Sequence, residues 1–292
     1  MKIAIYSRGL DTEQIAPLIY VIEEFVKNNC TVIVHQLILE QFHLPASVID
    51  KITTFSNGSQ LDNDIHCFIS LGGDGTVLDA VTMVKDKGIP ILGVNFGRLG
   101  FLANINKDEL ALAVDTIINR TFVVDDRTLV HLDANIPLFG DAPFALNEFS
   151  IHKRDLSPMI KIHTYLNGEF LNTFWADGLI VATPTGSTGY SMSCNGPIVF
   201  PDSSSFVITP VAPHNLSVRS IVVPDSNIIS FEIEGRTQEF ICAMDARREI
   251  VPKDVQLAIK KESFNVKLVR LNEGSFLSTL RDKLTWGMDK RN

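Results

Sequence analysis

Gly72-Gly73-Asp74-Gly75-Thr76 follows directly on Cys67-Phe68-Ile69-Ser70-Leu71, and the residues able to do chemistry are densest at that junction. A short apolar run bounded by turn residues reads as a buried strand. After it, residues 76–85 place apolar side chains at helical spacing, and Gly88 supplies a stop. Gly72, Gly73 and Gly75 therefore sit where a strand becomes a helix. Lacking Cβ atoms, they admit positive φ and a close approach to the backbone. Free N–H groups at a helix start favour phosphate oxygens. A carboxylate is the wrong group to hold a phosphate, so Asp74 suggests a proton acceptor or a metal contact beside one. Asp also caps helices well, and at this point both readings stand.

A second unusual stretch runs from Asp177 to Ser191, DGLIVATPTGSTGYS. A strand ends at Thr183, Pro184 stops it, and small hydroxyl and glycine residues follow. Ser and Thr hydroxyls with exposed N–H groups can surround a ligand rich in oxygen. Tyr190 adds a flat ring with a polar tip. The plainer alternative is a hydroxyl-rich turn capping a short helix. Asn147-Glu148 likewise reads either as a polar pair for a ligand or as an ordinary strand end.

These residues need a scaffold, and the 292-residue chain is long enough for one large domain or two ordinary ones. Its 45% hydrophobic and 21% charged content describes a globular protein. A net charge of −8 without a basic run argues against nucleic acid as a partner. No apolar run is long enough to cross a bilayer, so no membrane partner is expected. The N-terminus reads as a first strand and not as a signal peptide. Cys30, Cys67, Cys194 and Cys242 are scattered and read as reduced thiols of a cytoplasmic protein. The seven histidines, His35, His43, His66, His131, His152, His163 and His214, show no metal-ligand spacing, and no protein metal site is expected. His152 alone is kept as a pocket contributor. No Walker A pattern and no G-x-G-x-x-G occurs.

Up to about residue 120, strand and helix patterns alternate, as in a parallel α/β sheet. Strands are expected at 2–6, 31–35, 67–71 and 89–94. Helices are expected at 12–28, with Ile15, Ile19, Ile22 and Phe25 on one face, and at 108–118, with Leu110, Leu112, Val114, Ile117 and Ile118 as the apolar set. Beyond residue 122 short strands dominate, at 128–134, 145–153, 159–166, 169–175, 179–183, 206–211, 228–233, 239–244, 255–261 and 266–271. Asn167-Gly168 marks a two-residue hairpin. Such spacing predicts a sandwich or barrel-like β domain. Residues 276–284 turn helical again. In open α/β sheets ligands bind where strands end on the carboxyl side, and the turns at Gly72 and Gly97 both lie at that edge.

In order along the chain, GGDGT at 72–76, N-x-G-x-L-G-F-L at 95–102, Asn147-Glu148, DGLIVATPTGSTGYS at 177–191 and L-R-D-K-L-x-W at 280–286 together resemble the NAD kinase family, the inorganic polyphosphate/ATP-NAD kinases. GGDG alone is shared with lipid kinases and phosphofructokinases; Asn147-Glu148 with TPTGST is more specific. The resemblance implies α/β plus all-β architecture: an N-terminal Rossmann-like parallel sheet domain (1–122), a β-sandwich-like NAD-binding domain (123–272), and a C-terminal segment (273–292) whose helix returns to the first domain. It implies transfer of the γ-phosphoryl of ATP to the 2′-hydroxyl of the adenosine ribose of NAD, with Mg²⁺ or another divalent metal held mainly through ATP phosphates. By the same likeness Asp74 holds the attacking hydroxyl, and Gly72, Gly73 and Gly75 let phosphates approach. Asn147 and Glu148 bond the adenosine portion, and Asp177 binds near the nicotinamide end. Thr185, Thr188, Gly189, Tyr190, Ser191, Met192 and Ser193 line the adenine and ribose pocket, and Ala212 touches the dinucleotide; Arg247, where the chain departs from the family motif, is a candidate contact for a phosphate. The active site is expected at the junction of the two domains. Partners implied are NAD and ATP, with polyphosphate as an alternative donor, in a homodimer or homotetramer. A lipid or sugar kinase of the GGDG type and a non-catalytic dinucleotide sensor are the competing readings.

The chain departs from the family pattern in four places. Gly189 stands where many relatives have Ala, and Asn195-Gly196-Pro197 where they have Gly-Gly-Pro. Met244-Asp245-Ala246-Arg247 replaces an Asp-Gly-Gln motif, and Trp175 replaces a positive side chain.

Overall fold

Four strands of the first half are buried almost end to end: Lys2–Tyr6, Thr31–His35, Cys67–Gly72 and Ile91–Asn95. Such continuous apolar runs belong to a parallel sheet covered on both faces. The computed structural model, which describes residues 1–9, 11–42, 44–97, 100–154, 158–271 and 276–286, places them side by side. His43, and Arg98 and Leu99 of the N-x-G-x-L-G-F-L turn, lie outside the described residues. Contacts divide the chain into two units. The first comprises residues 1–126 with the strand Val266–Arg270 and the helix Phe276–Leu284; the second comprises residues 127–265.

In the first unit the described strands form one eight-stranded sheet, ordered Ile52–Phe55, Thr31–His35, Lys2–Tyr6, Cys67–Gly72, Ile91–Asn95, Val266–Arg270 and Val123–Arg127, with Ile105–Asn106 paired to Ile91–Asn95. The chain winds outward from Lys2–Tyr6 in one direction and then, from Cys67–Gly72, in the other. That reversal is the topological switch point, where open α/β sheets bind ligands beyond their carboxyl ends. Two helix faces differ from the sequence reading. In the helix Ile15–Lys27 the buried residues are Leu18, Val21, Ile22 and Phe25, while Ile15 and Ile19 sit at the edge of that face. In Leu110–Asn119, Leu112 is 46% exposed, and Ala113 and Thr116 take its place inside. The strand Val266–Arg270, which its neighbours in sequence group with the β-rich half, pairs in parallel with Ile91–Asn95. Strands Ile52–Phe55, Val123–Arg127, Ile221–Pro224 and Arg247–Pro252 carry no strong sequence signal.

The second unit has two antiparallel six-stranded sheets among the described residues. One runs Ile221–Pro224, Ser205–Val211, Gly178–Ala182, Glu148–Lys153, Glu239–Met244, Arg247–Pro252; the other runs Glu169–Ala176, Ile160–Leu166, Ile229–Glu234, Leu257–Lys261, Val130–Ala134, Phe144–Ala145. Both inner faces feed one apolar core, with Phe149 of the first sheet stacked on Phe231 of the second at 6.0 Å between ring centroids. This is sandwich packing. Asn167 and Gly168 have φ of 51° and 85° and join strands in register from Leu166 to Glu169, the primed turn that the dipeptide signals. Gly178–Ala182 is buried on its outer face as well, because Cys194 and Val199 from the following segment pack on Ile180 and Ala182. The hydroxyl-rich segment is thus clamped onto the sheet by its own apolar residues. Among the described residues no helix is long and apolar enough to cross a membrane.

Candidate functional site

Gly72 ends its strand at φ 154°, and a Cβ there would stand 2.3 Å from Thr76 Oγ1, so only glycine fits the turn. Gly73 caps the helix Asp74–Val84 from an extended conformation. Asp74 is the first helical residue, yet its carboxylate reaches across to the neighbouring loop. Oδ2 accepts the N–H of Phe101 at 3.0 Å, and Oδ1 accepts those of Leu102 at 3.0 Å and Ala103 at 2.9 Å. Three charge-assisted bonds pin the side chain in one position. Gly100 makes this closeness feasible, since a Cβ on it would lie 1.8 Å from Asp74 Oδ1.

This turn opens on a cavity of about 490 Å³ at the switch point. Gly9 and Asp11 line it from the loop after the first strand, Gly72 to Asp74 from the GGDG turn, Asn95 and Gly97 from the next strand end, and Lys283 from the last helix. Asn95 Oδ1 accepts the Gly97 N–H at 2.7 Å and shapes that wall. Arg8, next to Gly75, is committed elsewhere: its guanidinium grips Asp79, which also accepts the Tyr6 hydroxyl at 2.9 Å. Among the described residues the cavity therefore carries two carboxylates, exposed turn backbone and one ammonium group.

In the second unit Asn147 and Glu148 sit where a strand begins and are held from two sides. Asp245, itself at positive φ, accepts the N–H groups of Leu146, Asn147 and Glu148 at 2.9, 2.8 and 3.2 Å. From the other side Thr183 donates its hydroxyl to the Leu146 carbonyl at 2.6 Å and its N–H to the Asn147 carbonyl at 2.8 Å. Gly186 presses on the same peptide, with a hypothetical Cβ only 2.0 Å from the Asn147 oxygen.

Glu148 faces a cavity of about 510 Å³ lined also by Ser150, His152, Tyr190, Asp245 and Arg248. Burial pushes the Glu148 carboxyl up to about 8, the Asp245 charge adds to this, and the Tyr190 N–H pulls slightly the other way. Asp245 is raised by burial too, but its three N–H donors oppose that shift. Burial and the neighbouring Asp245 charge thus favour the protonated form of Glu148, while three N–H donors favour the ionised form of Asp245. Glu148 Oε2 is buried with no hydrogen-bond partner. His152 is kept low by burial and by Arg248, its Nε2 lies 3.0 Å from Ser150 Oγ, and its ring is 5.7 Å from that of Tyr190. A neutral carboxyl, a neutral imidazole and a phenol ring suit a flat, hydrogen-bonding heterocycle.

The raised Glu148 value has a thermodynamic consequence. The folded state keeps a proton that the unfolded chain releases near the ordinary 4.5. Stability should fall as pH rises from there to about 8, by at most about 1.4 kcal/mol per unit, and then level off. Glu148→Gln should flatten urea-unfolding free energies between pH 5 and 8 relative to the parent. Equal slopes in the two proteins would show that Glu148 is ionised.

The other residues singled out in the sequence are spread more widely. Asp177 pairs with Lys153 at 2.7 Å, so the cation beside it comes from Lys153 and not from position 175. Trp175 stacks on His214 at 4.5 Å instead. Thr185 is buried and Thr188 donates to its carbonyl at 3.1 Å. Ser191 shares a hydrogen bond with Thr209 at 2.9 Å, Met192 and Ser193 complete the short helix Tyr190–Ser193, and Ala212 is exposed at φ 44°. A Cβ at Gly189 would come within 3.0 Å of Glu148 Oε2, so the missing methyl leaves room over that carboxyl. Arg247 is not brought to the cavity: its guanidinium donates to the carbonyls of Ala142 and Phe144 and lies 5.7 Å over the Phe139 ring. Its neighbour Arg248 lines the cavity instead. Sequence reasoning also passed over Asp245, Lys153 and Lys283, although two of these stand in motifs it quoted.

Comparison with known proteins agrees on both halves. Residues 21–122 match the ATP-NAD kinase N-terminal domain and residues 146–271 the ATP-NAD kinase C-terminal domain. The chain is 52% identical over 240 residues to the NAD kinase of Cytophaga hutchinsonii, covering 82% of each. It is 43% identical over 296 residues to that of Flavobacterium johnsoniae, covering 100% of both. In fold it resembles yeast NADH kinase complexed with NADH (TM-score 0.88, 22% identity, 100% of this chain and 89% of that one). It also resembles an NAD kinase from Archaeoglobus fulgidus in complex with ATP (TM-score 0.77, 24% identity, 98% and 99%).

Proposed function

This chain belongs to the ATP-NAD kinase family, and we propose that it transfers the γ-phosphoryl group of ATP to the 2′-hydroxyl of the adenosine ribose of NAD, giving NADP and ADP. The observation that carries this reading is the Asp74 carboxylate, pinned by three backbone N–H groups at the mouth of a glycine turn. Phosphoryl transfer asks the protein mainly for alignment and charge neutralisation. Asp74 Oδ2 accepts one N–H and Oδ1 two, so Oδ2 keeps a lone pair for a sugar hydroxyl. The 2′-oxygen forms a bond to the γ-phosphorus as the bond from that phosphorus to the β,γ-bridging oxygen breaks. The hydroxyl proton passes to Asp74 and then to water, and ADP leaves.

Asn147 and Glu148 would hold the adenosine portion. A protonated Glu148 both donates and accepts, which widens what it can pair with on a purine or ribose. Tyr190 and the segment around Thr185, Thr188, Gly189, Ser191, Met192 and Ser193 would shape the adenine and ribose pocket, with Asp177 toward the nicotinamide and Ala212 on the dinucleotide. Among the described residues no group of three or more His, Cys, Asp or Glu forms a metal cage. The hard oxygens of Asp74, Asp11 and Asn95 around one cavity nevertheless fit Mg²⁺ bound mostly through substrate phosphates. A bound ion would supply charge neutralisation for the phosphate groups. Inorganic polyphosphate as donor, a homodimer or homotetramer and a cytoplasmic location complete the proposal; the free thiols Cys30, Cys67, Cys194 and Cys242 suit a reducing compartment.

Purified protein with Mg²⁺, ATP and NAD should release NADP and ADP in equal amounts. ADP release with a lipid or sugar acceptor but not with NAD would replace this reading, as would tight NAD binding without turnover.

A further inference from the structure

The motif L-R-D-K-L-x-W near the C-terminus has no role in the reaction as derived so far, yet it delivers a side chain to the phosphate end of the site. We propose that Lys283 is a further catalytic residue, whose ammonium group meets the oxygens of the phosphoryl group in transfer. This rests on the kinase reading above. Lys283 lies on the helix Phe276–Leu284 and lines the cavity of the GGDG turn together with Gly73 and Asp74. Among the described residues lining that cavity it is the sole lysine or arginine. Arg8, which approaches Gly75, is bound to Asp79. Asp11 and Asp74 add two carboxylates to the wall, a field that repels a polyphosphate unless a cation offsets it.

The position of Lys283 is set by the loop that sets Asp74. Its Nζ lies 5.7 Å from the centroid of the Phe101 ring, and the Phe101 N–H is one of the three donors to Asp74. A contact with the ring face fixes the ammonium without using its three N–H donors. Acceptor carboxylate and cation are thereby referred to one short segment. As the bond from γ-phosphorus to the bridging oxygen breaks and that from the 2′-oxygen forms, Lys283 stays protonated. It offsets charge on the equatorial oxygens, as a lysine point charge does at other phosphate sites.

Lys283→Met keeps the apolar stem and its contact with Phe101 while removing the charge. It should lower kcat by about 10²–10³-fold. NAD affinity measured calorimetrically without ATP should be unchanged, and so should the thermal midpoint. Lys283→Arg should recover most of the lost rate. Inorganic tripolyphosphate, used as a probe without NAD, should bind the Met variant roughly tenfold or more weakly than the parent, with a shallower salt dependence. A Met variant within about threefold of the parent in kcat would overturn the proposal. So would equal losses in the Met and Arg variants with a lowered thermal midpoint, because packing and not charge would then be the cause. If the parent protein makes no NADP, the kinase reading fails, while the tripolyphosphate measurement still decides whether Lys283 meets phosphate.

Discussion

Asp74→Asn should reduce kcat for NADP formation by about 10³-fold, the scale of losing a positioned proton acceptor, while NAD still binds. The substitution preserves shape but not chemistry. An amide oxygen at the Oδ1 position can still accept from Leu102 and Ala103, but an NH₂ at the Oδ2 position would point a donor at the Phe101 N–H. The lone pair proposed for the ribose hydroxyl disappears with it. Some stability should be lost as well, about 1–3 kcal/mol, because the N–H bonds are to a charged acceptor. Rate and stability are separable. Single-turnover measurements at saturating NAD and ATP, set beside urea unfolding of the same preparation, show whether the rate loss exceeds what any unfolded fraction explains. A variant within tenfold of the parent would remove Asp74 from the reaction.

How far the sequence foretells such a site depends on whether each signal is local. The strands 2–6, 67–72 and 91–95 are legible because both their faces are buried, and a short, largely apolar run has no other comfortable home. The run Val266–Arg270, with Lys267 and Arg270 among its apolar residues, reads as one more strand of the β-rich half, and nothing in it says which sheet it joins; its partner is a strand far earlier in the chain. The helix Ile15–Lys27 shows a related ambiguity: Ile15, Ile19, Ile22 and Phe25 form a plausible stripe, but the sheet selects a face turned toward Leu18 and Val21. The site follows the same division. Glycine turns announce themselves by composition, whereas the partners of Asp74 and of Asn147 depend on which loop lies against them. Arg247 and Arg248 make the point most sharply. Adjacent residues on a strand face opposite sides, so a shift of one position decides which guanidinium ties down the loop at Phe139 to Phe144 and which enters the cavity.

Gly186→Ala should be as damaging to the second unit as Asp74→Asn is to the reaction. A Cβ on Gly186 would lie 2.0 Å from the Asn147 carbonyl oxygen, 2.4 Å from its carbon and 2.7 Å from its Cα. All three are backbone atoms, so no rotamer change relieves the contact; either the TPTGST turn or the strand carrying Asn147 and Glu148 has to move. Movement stretches the two Thr183 bonds to Leu146 and Asn147 on one side or the three Asp245 bonds on the other. The expected stability loss is about 1–3 kcal/mol, typical of a side chain forced into a packed interior. Displacing the Asn147 side chain and the Glu148 carboxyl together should also weaken NAD binding by roughly tenfold or more, since an adenosine contact needs both groups held in register. Ser204→Ala, at an exposed position outside that turn, should leave both quantities near their parent values. Calorimetric NAD titration and denaturant unfolding of the pair test this. An alanine variant that binds NAD as the parent does would mean that Asn147 and Glu148 do not hold the dinucleotide through the geometry seen here.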